Sequence, residues 1–299
     1  MINYREPIIV LAGPTASGKS AIAIELAKDF NGYIINADSR QNYKELKIGT
    51  AQPRPDKIEG EIWYIDGIKH YLYGHISAKD RYNLFEYQQD VQKVLDREDG
   101  LPILVGGTGL YIDCIVHNYI LQKGSERNTE YSRKELEEMS IERLQSLIDR
   151  DSLDKLNVSD IKNPIRLIRA IERGGTSQER NEPLNYIYLY LDSTPEALKD
   201  RIEQRVELMF AEGLLEENED LLRNGFTYDM SSMQSIGYKE FERYFLKEKS
   251  VEQVRDDIVL HSIQYAKRQK TWFKKHKDLV VVDNYEESYR AVLNFLRIS

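Results

Sequence analysis

Eight residues from Gly13 to Ser20, GPTASGKS, satisfy the pattern G-x-x-x-x-G-K-[ST]. In that pattern the glycines let backbone N–H groups close on phosphate oxygens, and the helix that follows turns its positive end toward them. The lysine, Lys19, reaches the terminal phosphate, and the hydroxyl of Ser20 is placed to ligate Mg²⁺. A carboxylate in a conventional position is missing. The strand that would end in a metal-holding Asp in a nucleotide hydrolase is PILVGG (102–107), and it ends in glycines. The candidate acid is instead Asp38, at the end of YIINAD, with Ser39, Arg40 and Gln41 behind it. With a reference pKa near 3.9 an aspartate is ionised at neutral pH, fit to accept a proton or hold magnesium. Capping a helix is its alternative role.

Two sets of cations accompany these groups. Arg201 and Arg205, in DRIEQR, are four apart on one helical face and suit a second grip on a diphosphate. Ion pairs with Glu203 and Glu207 are the alternative. Lys162, Arg166, Arg169 and Arg173 form a basic stripe beside Ile165, Leu167, Ile168 and Ile171. Near the C-terminus QYAKRQKTWFKKHK sets Lys267, Arg268, Lys270, Lys274, Lys275 and Lys277 around Trp272 and Phe273. Basic residues among aromatics suit an RNA backbone and unstacked bases; a solvated face is the bland alternative. The formal net charge of −8 opposes a nucleic-acid partner only on average, because charges more than about 8 Å apart are screened at physiological salt.

These residues need a scaffold that brings them to one edge. IIVLA (8–12) is a short apolar run ending at the phosphate loop, as expected of a buried parallel strand. A helix follows from Lys19 until Asn31-Gly32 stops it; then come a strand delivering Asp38, a helix over 84–99 closed by Gly100, and the strand 102–107 opening into GGTG. Later strands are expected at 186–191 and 279–283, with a helix beginning at Ser193-Thr194-Pro195, a long helix over about 251–275 and a closing helix. Alternating strands and helices predict an α/β fold, a P-loop NTPase-like three-layer core with a parallel sheet. Ligands in such sheets sit beyond the carboxyl ends of the strands, where the phosphate loop, Asp38 and Thr108 all fall. Residues 118–160 are polar, helical and strand-free, and predict a small helical insertion between core segments 1–117 and 161–299; a helix over 164–173, ended by Gly174-Gly175, resumes the core.

The chain has 299 residues, 41% apolar and 31% charged, with 20 tyrosines. Cys114 is the single cysteine, which excludes an internal disulfide and a cysteine zinc site and fits a reducing cytosol. The first apolar run is too short for a signal peptide, and no run approaches the about 18 residues of a membrane span.

GPTASGKS, NADSRQNYKELKIGTAQP, LVGGTGLY, NPIRLIRAIE, DRIEQRVELMFAEGLLEE, SIGYKE and QYAKRQKTWF together resemble, in order, the motifs of bacterial tRNA dimethylallyltransferases, also called tRNA isopentenyltransferases. The resemblance runs from about residue 8 to 275. It implies a phosphate-loop core with a helical insertion. It also implies transfer of a dimethylallyl group from dimethylallyl diphosphate, with Mg²⁺, to the exocyclic amine of the adenosine 3′ of the tRNA anticodon. By the same resemblance Gly13, Pro14, Thr15, Ala16, Ser17, Gly18, Lys19 and Ser20 bind the diphosphate, with Thr15 beside the reacting centre and Arg201 and Arg205 assisting. Asp38 is the general base. Asp38, Ser39, Arg40, Gln41, Thr108, Arg133, Ile165, Arg166, Leu167, Ile168 and Arg169 touch tRNA. A cytoplasmic monomer is expected. The insertion is shorter than the family's usual, Lys47 stands where an acid is common, and Ser20 replaces threonine while keeping the hydroxyl. LDSTPEALKDRIEQR also resembles the arginine helix of nucleotide kinases, so a kinase and a prenyltransferase acting on free adenine nucleotides stand as alternatives.

Overall fold

The computed structural model describes residues 1–121, 129–154, 156, 158–173 and 180–298. Along the chain, β1 (Ile8–Ala12) leads to α1 (Lys19–Asp29) and β2 (Gly32–Asn36). β3 (Lys57–Glu59), β4 (Ile62–Ile65) and β5 (Ile68–Tyr71) precede α2 (Leu84–Arg97), β6 (Leu101–Gly106) and α3 (Gly109–Val116). The short helices α4 (Arg133–Glu137), α5 (Ile141–Ser146), α6 (Arg150–Asp154) and α7 (Val158–Ile161) lead to α8 (Pro164–Arg173). β7 (Tyr186–Leu191), α9 (Pro195–Ala211), α10 (Leu214–Arg223), α11 (Glu242–Phe245), α12 (Val251–Phe273), β8 (Leu279–Val282) and α13 (Tyr285–Ile298) complete the order.

Two compact units divide the chain, Ile2–His117 with Pro183–Ser299, and Asn118–Glu182 with Met1. In the larger unit the described strands form one sheet in the order β3-β4-β5-β2-β6-β1-β7-β8. β5 through β8 in that order run parallel, and β3-β4-β5 is an antiparallel meander. Every residue of β1 is buried, because helices cover both faces. Ile8, Val10 and Ala12 face the cluster that contains Val91 and Val94 of α2, Ile112 of α3 and Phe273 of α12. Ile9 and Leu11 face Ala23 and Leu26 of α1 and Val292 of α13. The meander is absent from the sequence reading above. Its strands have three or four residues, but its turns are legible: Gly60 and the pair Asp66-Gly67 take positive φ (62°, 49° and 77°), the geometry a tight hairpin needs.

Side chains cap the starts of α2, α9 and α12. Thr194 accepts from the Ala197 N–H, with Pro195 at the first helical position; Asn83 with Glu86 and Ser250 with Gln253 form capping boxes.

The smaller unit differs from the expected insertion at its far end. It runs through Glu182, so α8 belongs to it and not to the resuming core. The physical reason is the apolar face of α8: Leu167, Ile168 and Ile171 pack with Leu136 and Leu144 of α4 and α5. Gly174-Gly175 lie outside the described residues. Leu167 is fully buried there, so Leu167→Ala is expected to destabilise this unit by about 2–5 kcal/mol. Hydrogen exchange should show lost protection in α4, α5 and α8 with β1 and β6 unchanged; unchanged protection in all of them would place Leu167 outside a core.

Candidate active site

The phosphate loop leaves β1 at Gly13 and enters α1 at Gly18, whose φ of 91° places it in the left-handed region. Ala16, with a φ of 61°, sits there too. The loop folds on itself: the Ser17 N–H donates to the Pro14 carbonyl at 3.3 Å, and Lys19 Nζ donates to the same carbonyl at 3.1 Å. Ser17 is buried and its Oγ has no partner. Ser20 is exposed at the first turn of α1.

Both arginines of α9 reach this loop. Arg201 donates to the Ser17 carbonyl at 3.4 Å and to Ser193 Oγ at 3.3 Å. Arg205 donates to Thr15 Oγ1 and, at 3.3 Å, to the Thr50 carbonyl. The acids that were the alternative partners go elsewhere, Glu203 to Lys199 and Glu207 to Arg255. Arg205 Nε is buried without a hydrogen-bond partner.

Asp38 follows from the end of β2. Buried Asn36 fixes the bend: its Oδ1 accepts from the Asp38 N–H at 2.9 Å, while its Nδ2 donates to the carbonyls of Asp38 and Leu72 and to Asn42 Oδ1. Asp38 Oδ1 accepts from the Arg40 N–H at 3.0 Å, a local turn and not a helix cap. The next strand, β6, is brought against this loop by glycine. A Cβ on Gly106 would stand 2.2 Å from the Ala37 backbone, and one on Gly107 would stand 2.1 Å from Gln269 Nε2. That closeness lets Thr108 Oγ1 accept from the Ser39 N–H at 3.0 Å and donate to Ser39 Oγ at 3.3 Å. Arg40 donates to the Ser231 carbonyl, and the Gln41 amide is taken up by the carbonyls of Thr50 and Ala51.

α12 locks the two loops together. Gln269 Oε1 accepts from the Thr15 N–H at 3.0 Å, and its Nε2 donates to the Gly107 carbonyl at 2.9 Å. One buried side chain thus spans the phosphate loop and the turn after β6. Glu217 of α10 does similar work for the loop at 47–50, accepting from the Ile48 N–H at 3.0 Å and from Tyr238 of SIGYKE at 2.6 Å. Lys47 is exposed.

A cavity of about 370 Å³ opens between these elements. Thr15, Asp38, Ser39, Arg40, Thr50, Thr108, Arg205 and Arg268 line its polar part, and Ile202, Val206, Met209, Ile236 and Ile258 its apolar part. Burial lowers the Lys19 ammonium to about 8; the charge of Asp38 opposes the shift and Arg205 adds to it. Burial also lowers the Arg205 guanidinium, again opposed by Asp38. The Tyr265 phenol is pushed up to about 12 by burial and by Asp38, so it remains a neutral donor. Two cations that are costly to desolvate face one carboxylate, an environment that favours an added anion.

The other expected contacts divide. Ile165, Arg166 and Arg169 are exposed on α8, with Arg166 paired to Asp160. Leu167 and Ile168 are 0% and 2% exposed; packing in the helical unit closes both to any outside partner, which corrects their assignment to tRNA. Arg133 is held by Glu137 at 2.9 Å and Glu172 at 2.7 Å. In the C-terminal stripe Lys270 is bound to Asp192 at 2.7 Å, Phe273 is core, and the Trp272 indole donates to Asp113 at 2.9 Å, so the stripe is less of a stacking platform than its sequence suggests. The sequence reading missed Gln269, Tyr265 and the apolar wall. Ile202, Val206 and Met209 stand at i, i+4 and i+7 beside the two arginines, a signal that was available.

The profile of the IPP transferase family matches residues 41–276. The tRNA dimethylallyltransferase of Acetivibrio thermocellus is 32% identical, covering 96% of this chain and 95% of its own. That of Bacillus cereus (strain AH820) is 36% identical over 93% and 90%. Among solved structures, the tRNA isopentenylpyrophosphate transferase of Bacillus halodurans superposes with a TM-score of 0.72 at 30% identity, covering 98% of this chain and 96% of the other. A eukaryotic dimethylallyltransferase described as acting on tRNA gives 0.78 at 28% identity, over 93% and 74%. With its phosphate loop, its shared cavity and these relatives, the chain belongs to the IPP transferase family.

Proposed function

We propose that this protein is a tRNA dimethylallyltransferase, moving the dimethylallyl group of dimethylallyl diphosphate to N6 of the adenosine immediately 3′ of the anticodon. The observation that carries the reading is that one cavity is lined by Thr15 of the phosphate loop, Arg205, Asp38 and an apolar wall. A diphosphate with a short branched tail needs such a division: cations and N–H groups for its head, and Ile202, Val206, Met209 and Ile258 to shed water from its tail.

In the reaction the allylic C–O bond breaks, the new C–N6 bond forms, and the proton on N6 leaves. Lys19, Arg201, Arg205 and the loop's N–H groups stabilise the charge gathering on the departing diphosphate. Thr15, gripped by Arg205 and Gln269, lies between the diphosphate head and the reacting carbon. Asp38 takes the amine proton as the bond forms, a role that contributes about 10²–10⁴-fold. Ser39, Arg40, Gln41 and Thr108 hold the strand from which the target base is drawn. Unstacking the base costs a few kcal/mol, less in a loop than in a duplex, and phosphate contacts from Arg166, Arg169 and Arg133 offset it.

Magnesium fits this donor set. Ser20 offers a hydroxyl at the exposed first turn of α1, and Mg²⁺ prefers one or two protein oxygens plus substrate phosphates. Bound there it supplies positive charge to the diphosphate. The protein works as a monomer in the cytoplasm, where its tRNA substrate is. Among the described residues no helix is long and apolar enough to cross a membrane.

Incubation with labelled dimethylallyl diphosphate, Mg²⁺ and either unmodified tRNA or AMP tests the reading. Label should appear in tRNA; label in AMP would support a free-nucleotide prenyltransferase, and label in neither a kinase. Asp38→Asn keeps the acceptor for the Arg40 N–H. It is expected to lower transfer about 10²–10⁴-fold with tRNA affinity unchanged; full transfer would remove Asp38 as the base. Arg166→Ala combined with Arg169→Ala should weaken tRNA binding and reduce the salt slope of log affinity by about 1–2. An unaltered slope would show that α8 makes no phosphate contacts.

A further inference from the structure

A second cluster of chemistry-bearing side chains lies at the end of α3 away from Thr108. Asp113 lies on that helix, His117 follows its last residue, and His276 comes just past the end of α12. One ligand atom from each lies within 4.8 Å of the others. Asp113 is nearly fully buried, at 4% exposure. Its Oδ1 is 3.2 Å from His276 Nε2, and its Oδ2 accepts from the Trp272 indole at 2.9 Å. The two imidazoles lie at 5.7 Å with their planes 16° apart. Tyr186 stands against His117, and Tyr188 against His276. None of the three lines the cavity.

We propose that Asp113, His117 and His276 hold one divalent transition-metal ion of the zinc class, in a site separate from the diphosphate cavity. Two imidazole nitrogens and one carboxylate oxygen are the donors such ions favour over Mg²⁺ or Ca²⁺. With metal–ligand bonds of about 2.0–2.2 Å, ligand atoms in a tetrahedral site stand about 3.3 Å apart. Asp113 Oδ1 and His276 Nε2 already have that separation, and the His117 nitrogen has at most about 1.5 Å to close by ring rotation. The indole bond to Oδ2 orients the carboxylate with Oδ1 toward the imidazoles, as outer-shell donors do in metal sites. A water completes the coordination. In the bound state the lone pair of His276 Nε2 faces the ion. The ion ties the far end of α3, which follows Thr108, to the end of α12, which carries Gln269. Its role is to brace the scaffold, not to react.

Cobalt(II) is the probe. The full chain is stripped with a chelator, supplied with excess Mg²⁺, and titrated with Co²⁺ while the visible absorption of low-coordinate cobalt is followed. Saturation at one ion per chain is expected, with the band erased by Zn²⁺ and a higher melting temperature in Zn²⁺. His117→Gln and His276→Gln should each lower affinity at least tenfold while melting like the wild type without metal; His261→Gln, outside the cluster, should bind as the wild type does. No saturation at one ion per chain, or unchanged affinity in either His117→Gln or His276→Gln, would overturn the site.

Discussion

Lys19 and Arg205 are drawn out of water beside the phosphate loop, and the carboxylate whose field opposes that cost is Asp38. The imbalance organises the site. Two desolvated cations against one acid leave a local excess of positive charge that an added anion relieves. The hydrogen bonds that Lys19 makes to Pro14 and Arg205 makes to Thr15 and Thr50 hold both side chains in place without neutralising them. The proposed diphosphate is such an anion. The proposed role of the loop, holding a leaving diphosphate, rests on what shares its cavity. Asp38 faces the same space, and an apolar wall lies behind it.

Keeping those charges in register is the task of the surrounding scaffold. Gly106 and Gly107 allow β6 to end against Ala37 and Gln269. Gln269 then uses both ends of its amide on the two loops, tying the phosphate loop to the turn before α3. Asn36 does the same for the bend that carries Asp38. Glu217 and Tyr238 seat the loop whose Thr50 carbonyl receives Arg205. Buried polar side chains with every bond satisfied favour one arrangement over its neighbours, and reaction at a single nitrogen needs that uniqueness.

Much of this was legible in the sequence, and the limits have physical causes. Strands buried on both faces read as continuous apolar runs, so β1, β2, β6 and β7 were found close to their observed bounds. The phosphate loop and Asp38 were legible because strand ends in a parallel sheet converge. The meander at 57–71 escaped because its strands have only three or four residues and those of β3 and β4 are exposed or half-exposed. On α8 the pattern gave a basic stripe with an apolar flank, and contact with tRNA was extended to the flank. Leu167 and Ile168 instead form the core of the smaller unit, since an amphipathic helix buries the face that its charges leave free. Gln269 could not be singled out, because its partners, Thr15 and Gly107, are more than 160 positions away and are both backbone groups. A separation of 78 positions likewise hid the pairing of Lys270 with Asp192, which withdraws one cation from the C-terminal stripe.

Lys19 of the phosphate loop and Arg205 of the cavity are proposed to await a diphosphate, and proton linkage at Lys19 tests that proposal most directly. With Lys19 brought to about 8 by burial, about half of the free protein carries a neutral lysine at pH 8, and a bound diphosphate recharges it. Calorimetric titration of dimethylallyl diphosphate with Mg²⁺ at pH 8, in buffers of different ionisation enthalpy, reports protons exchanged on binding. The ligand is already fully ionised there, so an uptake of about half a proton per chain is expected. Binding with no uptake, or with release, would contradict a desolvated lysine in the cradle and with it the account of what the cavity is built to hold.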